Sequence, residues 1–277
     1  MVLDEVFKLN NGVRIPKLAL GTWQTPNDIA KNVVETAIKA GYRHIDTAIA
    51  YENETGVGEG LKAGLEATGL HREGIFITSK IPAEVKDYAQ AVNCIEESFK
   101  RLDCKHVDLM LIHAPKPWSE MWKPEFPNYY KENLAVWKAM EEAYEWKKYR
   151  AIGVSNFSID DLKNIMDNSS VKPAVNQIRV HIGHVPTELI DFCKANDILI
   201  EAYSPNATGR LLKNQAVCDM AKKYSVSVPQ LGCRFDLQLG LLPLPKSTHE
   251  EYIKQNAAID FEISEDDMQV LMSIKEE

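Results

Sequence analysis

Two kinds of segment alternate along the chain. Short apolar or β-branched runs recur as KLALGTW (17–23), YRHID (42–46), IFITSK (75–80), VDLMLIH (107–113), RAIGVSN (150–156), PAVNQ (173–177), LIEAYS (199–204) and LLPLPKS (241–247). Each has strand length, and several are rich in Val and Ile, which fit a pleated surface. Longer stretches between them carry apolar residues at helical spacing. Ile29, Val33, Val34, Ala37 and Ile38 form one stripe, and Tyr88, Ala91, Val92, Ile95, Phe99 and Leu102 a second. Leu134, Trp137, Met140 and Tyr144 repeat the pattern. Asp160, Thr187 and Ser264 stand near later helix starts, as caps or first-turn acceptors.

The eight apolar runs end near residues 22, 46, 80, 113, 155, 177, 203 and 246, a mean spacing of about 32 residues, close to the length of a strand–helix–strand unit. Such alternation predicts a parallel sheet covered by helices. Eight units in one chain predict a closed (β/α)8 TIM barrel, taken as a single domain over 1–277. A doubly wound open sheet would place a GxGxxG turn after the first strand, and LGTWQT lacks it. GVGEGLKAG (56–64) is glycine-rich but follows a polar segment and reads as a closely packed helix. The opening FKLNNGVRIPKL predicts a β-hairpin that closes the barrel's bottom, its Asn-Gly suited to a tight turn with positive φ.

Composition narrows the function. The 277 residues are 45% hydrophobic and 26% charged, with formal net charge −8, ordinary values for a globular protein. No basic cluster suggests a nucleic-acid partner. No apolar run approaches the length of a membrane span, and MVLDEVFKLNNG lacks the basic and apolar regions of a signal peptide. The five cysteines, Cys94, Cys104, Cys193, Cys218 and Cys233, contain no CxxC and read as reduced residues of a cytoplasmic protein. HIGH (181–184) offers two histidines and no evident third metal ligand.

In a (β/α)8 barrel, chemistry gathers at the C-terminal ends of the strands. Here those ends carry Asp46, Lys80, His113, Ser155, Asn156, Gln177, Tyr203, Ser204, Lys246 and Ser247. Taken singly, Asp46 reads as a turn residue, Lys80 as a solvated loop lysine and His113 as a core histidine. Polar groups at strand end after strand end carry more weight than any one of them. Were Asp46, Tyr51, Lys80 and His113 to meet on one rim, the ammonium would favour the phenolate and lower the phenol's pKa. The carboxylate would keep that ammonium from being an unpaired buried charge. The imidazole could hydrogen-bond and orient a carbonyl oxygen. The set is a proton donor aimed at a developing alkoxide, which suits reduction of C=O with hydride from elsewhere. Two rival readings are a lyase using Lys80 as a Schiff-base nucleophile and a non-catalytic barrel that binds a nicotinamide cofactor.

GTWQ (21–24), HIDTAIAYENE (44–54), TSK (78–80), LIHAP (111–115), AIGVSNF (151–157), NQIRVH (176–181), YSP (203–205) and LPKS (244–247), in this order, resemble the motifs of the aldo-keto reductases. The likeness is to the bacterial, 2,5-diketo-D-gluconate reductase-like kind. It implies a barrel reducing small carbonyl compounds with NADPH and no metal; since the sequence shows no sticky surface element, a monomer is expected. The catalytic tetrad carries over as Asp46, Tyr51, Lys80 and His113, with Tyr51 as the acid. The cofactor residues carry over as Gly21, Thr22 and Asp46; Ser155, Asn156 and Gln177 for the carboxamide; Tyr203 stacking on the ring; Ser204 and Asn206 toward the pyrophosphate; Lys246, Ser247 and Thr248 facing the 2′-phosphate; and Asn256 at the adenine. Trp23, Tyr51, His113 and Trp118 are the substrate candidates.

Departures from the motifs set further expectations. Tyr252 stands where an arginine is frequent, which opens the way to NADH beside NADPH. Arg179, Val180 and Ile182 are unusual, and the sequence gives no account of Arg179. Ala114 and Ile81 stand where bulkier residues occur, so this side of the pocket is expected to be wider. The chain stops at SIKEE, where relatives carry a covering loop. An open pocket with weak discrimination follows as the expectation. Steady-state kinetics over close carbonyl analogues are then predicted to show preferences below about a thousandfold; a larger preference for one compound contradicts it.

Overall fold

The computed structural model describes residues 1–104, 106–123 and 126–275. A two-stranded antiparallel hairpin, β1 (Val6–Lys8) and β2 (Arg14–Pro16), comes first. The barrel strands are β3 (Leu20–Gly21), β4 (His44–Asp46), β5 (Phe76–Ile81), β6 (Val107–Ile112), β7 (Tyr149–Ser155), β8 (Val175–Arg179), β9 (Leu199–Tyr203) and β10 (Leu242–Leu244). Each pairs in parallel with the next in chain order. The ring closes where Gly21 bridges Lys246 and its N–H donates to Pro245 O at 2.9 Å. A Cβ at position 21 would lie 3.3 Å from Leu244 O, so glycine suits this seam.

The helices are α1 (Asn27–Lys39), α2 (Glu54–Thr68), α3 (Tyr88–Leu102), α4 (Tyr130–Glu145), α5 (Ile159–Asn168), α6 (Thr187–Ala195), α7 (Gln215–Lys223), α8 (Val228–Gln238), α9 (Glu250–Ala257) and α10 (Glu265–Ser273). All three stripes read from the sequence lie on helices. Ser264 caps α10 as expected, through Asp267 N. At α5 the cap is Ser158, in a reciprocal capping box with Asp161, while Asp160 sits in the first turn. Thr187 is the first residue of α6 and does not cap it. Among the described residues no helix is long and apolar enough to cross a membrane.

Strand alternation divides the core in two. One set of side chains points outward under the helices, including Ile45, Ile77, Met110, Ile112, Ile152 and Ile200. The other fills the lower barrel with Ala19, Phe76, Leu109, Leu111, Ala151, Val175 and Leu242, and the hairpin adds Leu9 and Ile15 to the same cluster. Asn10 Nδ2 donates to Pro173 O and Asn11 Nδ2 to Arg150 O, both at 2.9 Å, fastening the hairpin under the bottom. Its turn spans Asn10, Asn11 and Gly12, the segment read from the sequence. Leu9 N bonds Val13 O, and only Gly12 (φ +86°) within the turn is left-handed, the pattern of a three-residue loop with a bulge.

Ile81 follows inward-facing Lys80 on β5 and points into the layer beneath the helices, with no accessible surface. Ala114 is buried in the loop after β6.

The glycine-rich stretch is the helix α2, laid against its neighbours at backbone distance. A Cβ at Gly56, Gly58 or Gly60 would lie 2.3, 2.4 or 2.5 Å from the carbonyl oxygens of Asn27, Leu102 and Lys31. Alanine at Gly60 gains up to ~1 kcal/mol of helix propensity but forces α1 and α2 apart. Overpacking of this kind costs about 1–3 kcal/mol. Thermal unfolding of Gly60→Ala is expected to show a lowered midpoint; a raised one contradicts the close-packing role.

Candidate active site

Strand ends β4, β5 and β6 bring Asp46, Lys80 and His113 to the upper mouth, and the short turn Ile49–Tyr51 swings Tyr51 over them. Lys80 Nζ lies 2.7 and 2.9 Å from the two Asp46 oxygens, 2.8 Å from Thr47 O and 3.4 Å from the Tyr51 hydroxyl. The Tyr51 and His113 rings meet edge-on with centroids 5.5 Å apart. The four residues named from the sequence thus share one site.

The residues after Tyr51 explain how it is held. Glu52 takes a left-handed conformation (φ +56°) and reverses the chain. Buried Asn53 then donates to Thr22 O and Thr25 O, both at 2.9 Å, and accepts from Thr47 Oγ1 at 2.8 Å. Buried Glu54 accepts from Ser79 Oγ and Ser98 Oγ and pairs with Arg101 Nε at 2.8 Å. The YENE segment is therefore a clamp joining the loop after β3, the ends of β4 and β5, and α3.

Burial and charge set the protonation states. Burial works against the Lys80 ammonium, but Asp46, Tyr51 and Glu201 outweigh it and the net direction is upward. An amine held as a cation is a poor Schiff-base nucleophile. Burial pushes Tyr51 above its ordinary value, with Lys80 pulling down and Asp46 pushing up. The expected lowering by lysine is present but does not prevail here. Burial first, and Lys80 second, bring His113 down to about 3, so its ring is neutral at neutral pH. Its Nδ1 is buried without a hydrogen-bond partner in the structure. A neutral imidazole can donate a hydrogen bond without competing for the proton of Tyr51.

The remaining candidates line the same end of the barrel. Ser155 Oγ donates to Gln177 O at 2.8 Å. Asn156, left-handed at φ +60°, donates from Nδ2 to Ser155 Oγ at 3.0 Å and His113 O at 3.2 Å, and its Oδ1 accepts from the Tyr203 hydroxyl at 2.8 Å. Gln177 Nε2 donates to Asp46 Oδ2 at 2.8 Å and Glu201 Oε2 at 2.7 Å. Thr22 is fully buried, its hydroxyl committed to Asp46 O at 2.9 Å. Ser204 is left-handed (φ +55°), and Asn206 holds a buried Oδ1 without a partner in the structure. Lys246 is exposed at the seam beside Gly21; Ser247 accepts from His249 N at 3.1 Å at the start of α9, which also carries buried Asn256. Thr248 is half-buried, and Tyr252 is 53% exposed with its ring against His249. Trp23 is exposed, and Trp118 packs edge-on against His113 with centroids 5.2 Å apart. Arg179, at the end of β8, lies beside Tyr203 in the strand register and draws its hydroxyl downward against the push of burial.

The sequence reading overlooked Glu201 and His44. Both are fully buried inside the barrel below the mouth, and His44 Nε2 is 2.8 Å from Thr78 Oγ1. Their only signal was position: Glu201 stands two residues before Tyr203, hence on the same inward face. HIGH forms a small antiparallel bridge between His181 and His184. No group of three His, Cys, Asp or Glu able to hold a metal occurs among the described residues.

Comparison with known proteins bears on this geometry. The aldo/keto reductase family profile matches residues 17–276. The chain is 41% identical over 270 residues to the uncharacterized oxidoreductase YtbE of Bacillus subtilis, covering 97% of this chain and 92% of the relative. It is 41% identical over 268 residues to the glyoxal reductase of Bacillus subtilis, covering 96% and 91%. It superposes with a TM-score of 0.87, at 31% identity, on the crystal structure of Bombyx mori aldo-keto reductase (AKR2E4) in complex with NADP, covering 97% of this chain and 92% of that one. A closed parallel barrel, a lysine–aspartate pair beneath a tyrosine at its mouth, and these likenesses over almost the whole length place the chain in the aldo/keto reductase family.

Proposed function

We propose that Tyr51 delivers the proton when this protein reduces an aldehyde or ketone. The observation that carries the reading is the 3.4 Å contact between Lys80 Nζ and the Tyr51 hydroxyl, with Asp46 bidentate on the same ammonium. The reaction is carbonyl reduction with NADPH, an oxidoreductase activity of the family. The bound cofactor supplies hydride to the carbonyl carbon. As charge develops on the carbonyl oxygen, Tyr51 hands over its proton. Lys80 stabilises the phenolate left behind. Asp46 holds the ammonium in place, and neutral His113 orients the oxygen from the other side. Proton transfer by a positioned acid contributes about 10²–10⁴-fold.

The donor set at the mouth fits a nicotinamide. Ser155, Asn156 and Gln177 offer a hydroxyl and two amides for a carboxamide, and Tyr203 offers a ring face beside them. Gly21, Asp46, Ser204 and Asn206 stand at the same end of the barrel, with Lys246, Ser247, Thr248 and Asn256 beyond; Thr22 is fully buried there and supports the site through its hydrogen bond to Asp46 O. Lys246 supplies a cation for the 2′-phosphate, so NADPH is the preferred cofactor. Tyr252 cannot add a second charge there, so the preference is modest and NADH is also used. Trp23 and Trp118 form the apolar approach for a small carbonyl substrate. We place the enzyme in the cytoplasm as a monomer, one barrel domain over the whole chain. Its raised Lys80 speaks against a Schiff-base lyase, and the assembled tetrad against a non-catalytic cofactor-binding barrel.

Two measurements test this. Tyr51→Phe is expected to lower kcat at least ~100-fold while NADPH still binds; unchanged turnover would remove Tyr51 as the acid. Tyr252→Arg is expected to raise the NADPH-over-NADH ratio of kcat/KM about tenfold or more, the worth of one charge-assisted hydrogen bond. No change in that ratio would place the 2′-phosphate elsewhere.

A further inference from the structure

Below the mouth lies a buried acid that the proposed reaction leaves unemployed. Glu201, on β9, has no accessible surface. Its Oε2 accepts from Gln177 Nε2 at 2.7 Å, and the same nitrogen donates to Asp46 Oδ2 at 2.8 Å. One amide nitrogen therefore bridges two carboxyl groups. Asp46, paired with the Lys80 ammonium, can only accept, so the nitrogen of Gln177 must face it; Glu201 Oε2 takes the second N–H and the amide oxygen turns away from both acids. We infer that Glu201 is a positioning residue of the reductase site, holding Gln177 in the one amide orientation that braces Asp46 and offers an acceptor to a carboxamide. The inference rests on the reading of this site as a nicotinamide-dependent reductase.

Charge makes the arrangement conditional. The titratable groups facing Glu201 are His44 and Asp46 from β4 and Lys80 from β5, with neutral Gln177 from β8. Burial first, and Lys80 second, bring His44 down to about 3, so it is uncharged at neutral pH. Lys80 and Asp46 cancel one another. An ionised Glu201 would then be an uncompensated second anion at the shared amide. Burial first, and Asp46 second, push it up to about 8, against the stabilising hydrogen bond from Gln177. At neutral pH it is a neutral acid, with Oε1 carrying no hydrogen-bond partner in the structure. Ionisation at alkaline pH adds negative charge behind Asp46, disfavours the Tyr51 phenolate and weakens Tyr51 as an acid.

The sign for stability follows from proton binding. The folded chain keeps this proton up to about pH 8, whereas the unfolded chain releases it near the ordinary value of 4.5. The contribution is complete below that ordinary value and is lost as pH rises through the folded one.

The test compares wild type with Glu201→Gln, Glu201→Leu and Tyr51→Phe, measuring NADPH binding by calorimetry, kcat from pH 6 to 10 and thermal midpoints. Glu201→Leu strands an N–H of Gln177. It is expected to weaken NADPH binding and lower kcat, each about tenfold, with the circular dichroism of the barrel retained. Glu201→Gln keeps a neutral acceptor. It is expected to turn over within about threefold of wild type at pH 7, a difference smaller than one hydrogen bond, while losing two features. One is the fall of kcat above about pH 8; the other is the wild type's loss of thermal midpoint, relative to the variant, between about pH 5 and 8. The inference is overturned if Glu201→Gln keeps the wild-type profile in both kcat and midpoint, or if Glu201→Leu binds and turns over like wild type. Turnover by Tyr51→Phe would overturn the acid assignment instead, and the binding and midpoint comparisons would still decide Glu201.

Discussion

The site depends on one buried ion pair. Lys80 has no accessible surface, and its charge is tolerable only because Asp46 accepts it bidentately and Thr47 O takes another of its hydrogens. Removing one partner of such a pair costs about 3–5 kcal/mol, because the other charge is left stranded. The pair's own contribution to stability is smaller than that figure, since both ions were taken out of water. What it secures is function: a cation held immobile beneath a phenol. The parallel barrel makes this possible, because residues far apart in the chain sit on adjacent strands with their inward faces in register.

The same geometry explains the division inside the barrel. Its lower part is filled with Leu, Ala, Val and Phe and stoppered by the hairpin. Its upper part is a polar layer of His44, Thr78, Gln177, Glu201, Asp46 and Lys80. A layer of this kind in a water-poor interior demands that most donors and acceptors meet, and that charges nearly cancel. A neutral His44 and a protonated Glu201 are how this layer holds two formal charges that offset each other. The glycine seam between α1 and α2 and the Asn53–Glu54 clamp then keep the outer layer from shifting the turn that carries Tyr51.

The barrel was legible because strand length, helical stripes and repeat spacing are local properties of the chain, and eight repetitions reinforce one another. The tetrad was legible for a related reason, since strand termini can be read directly and the family motifs mark them. What stayed hidden depends on neighbours. Glu201 looks like any acid in LIEAYS until β8 is set beside β9 and Gln177 reaches across. Ile81 turns away from the mouth because adjacency on a strand to inward-facing Lys80 places its side chain on the opposite face. The cap of α5 went to Ser158 rather than Asp160 because a reciprocal box with Asp161 satisfies more backbone donors.

The YENE clamp has a consequence for how such an enzyme can change over time. Asn53 and Glu54 tie the tyrosine's turn to the barrel and α3, while the loop after β6 reaches the tetrad through the ring contact between Trp118 and His113. The turn that carries Tyr51 and the loop that carries Trp118 therefore rest on separate supports. Mutations can remodel the loop while the turn that carries Tyr51 keeps its anchors, so the arrangement at the mouth can be inherited intact by descendants whose loops have diverged.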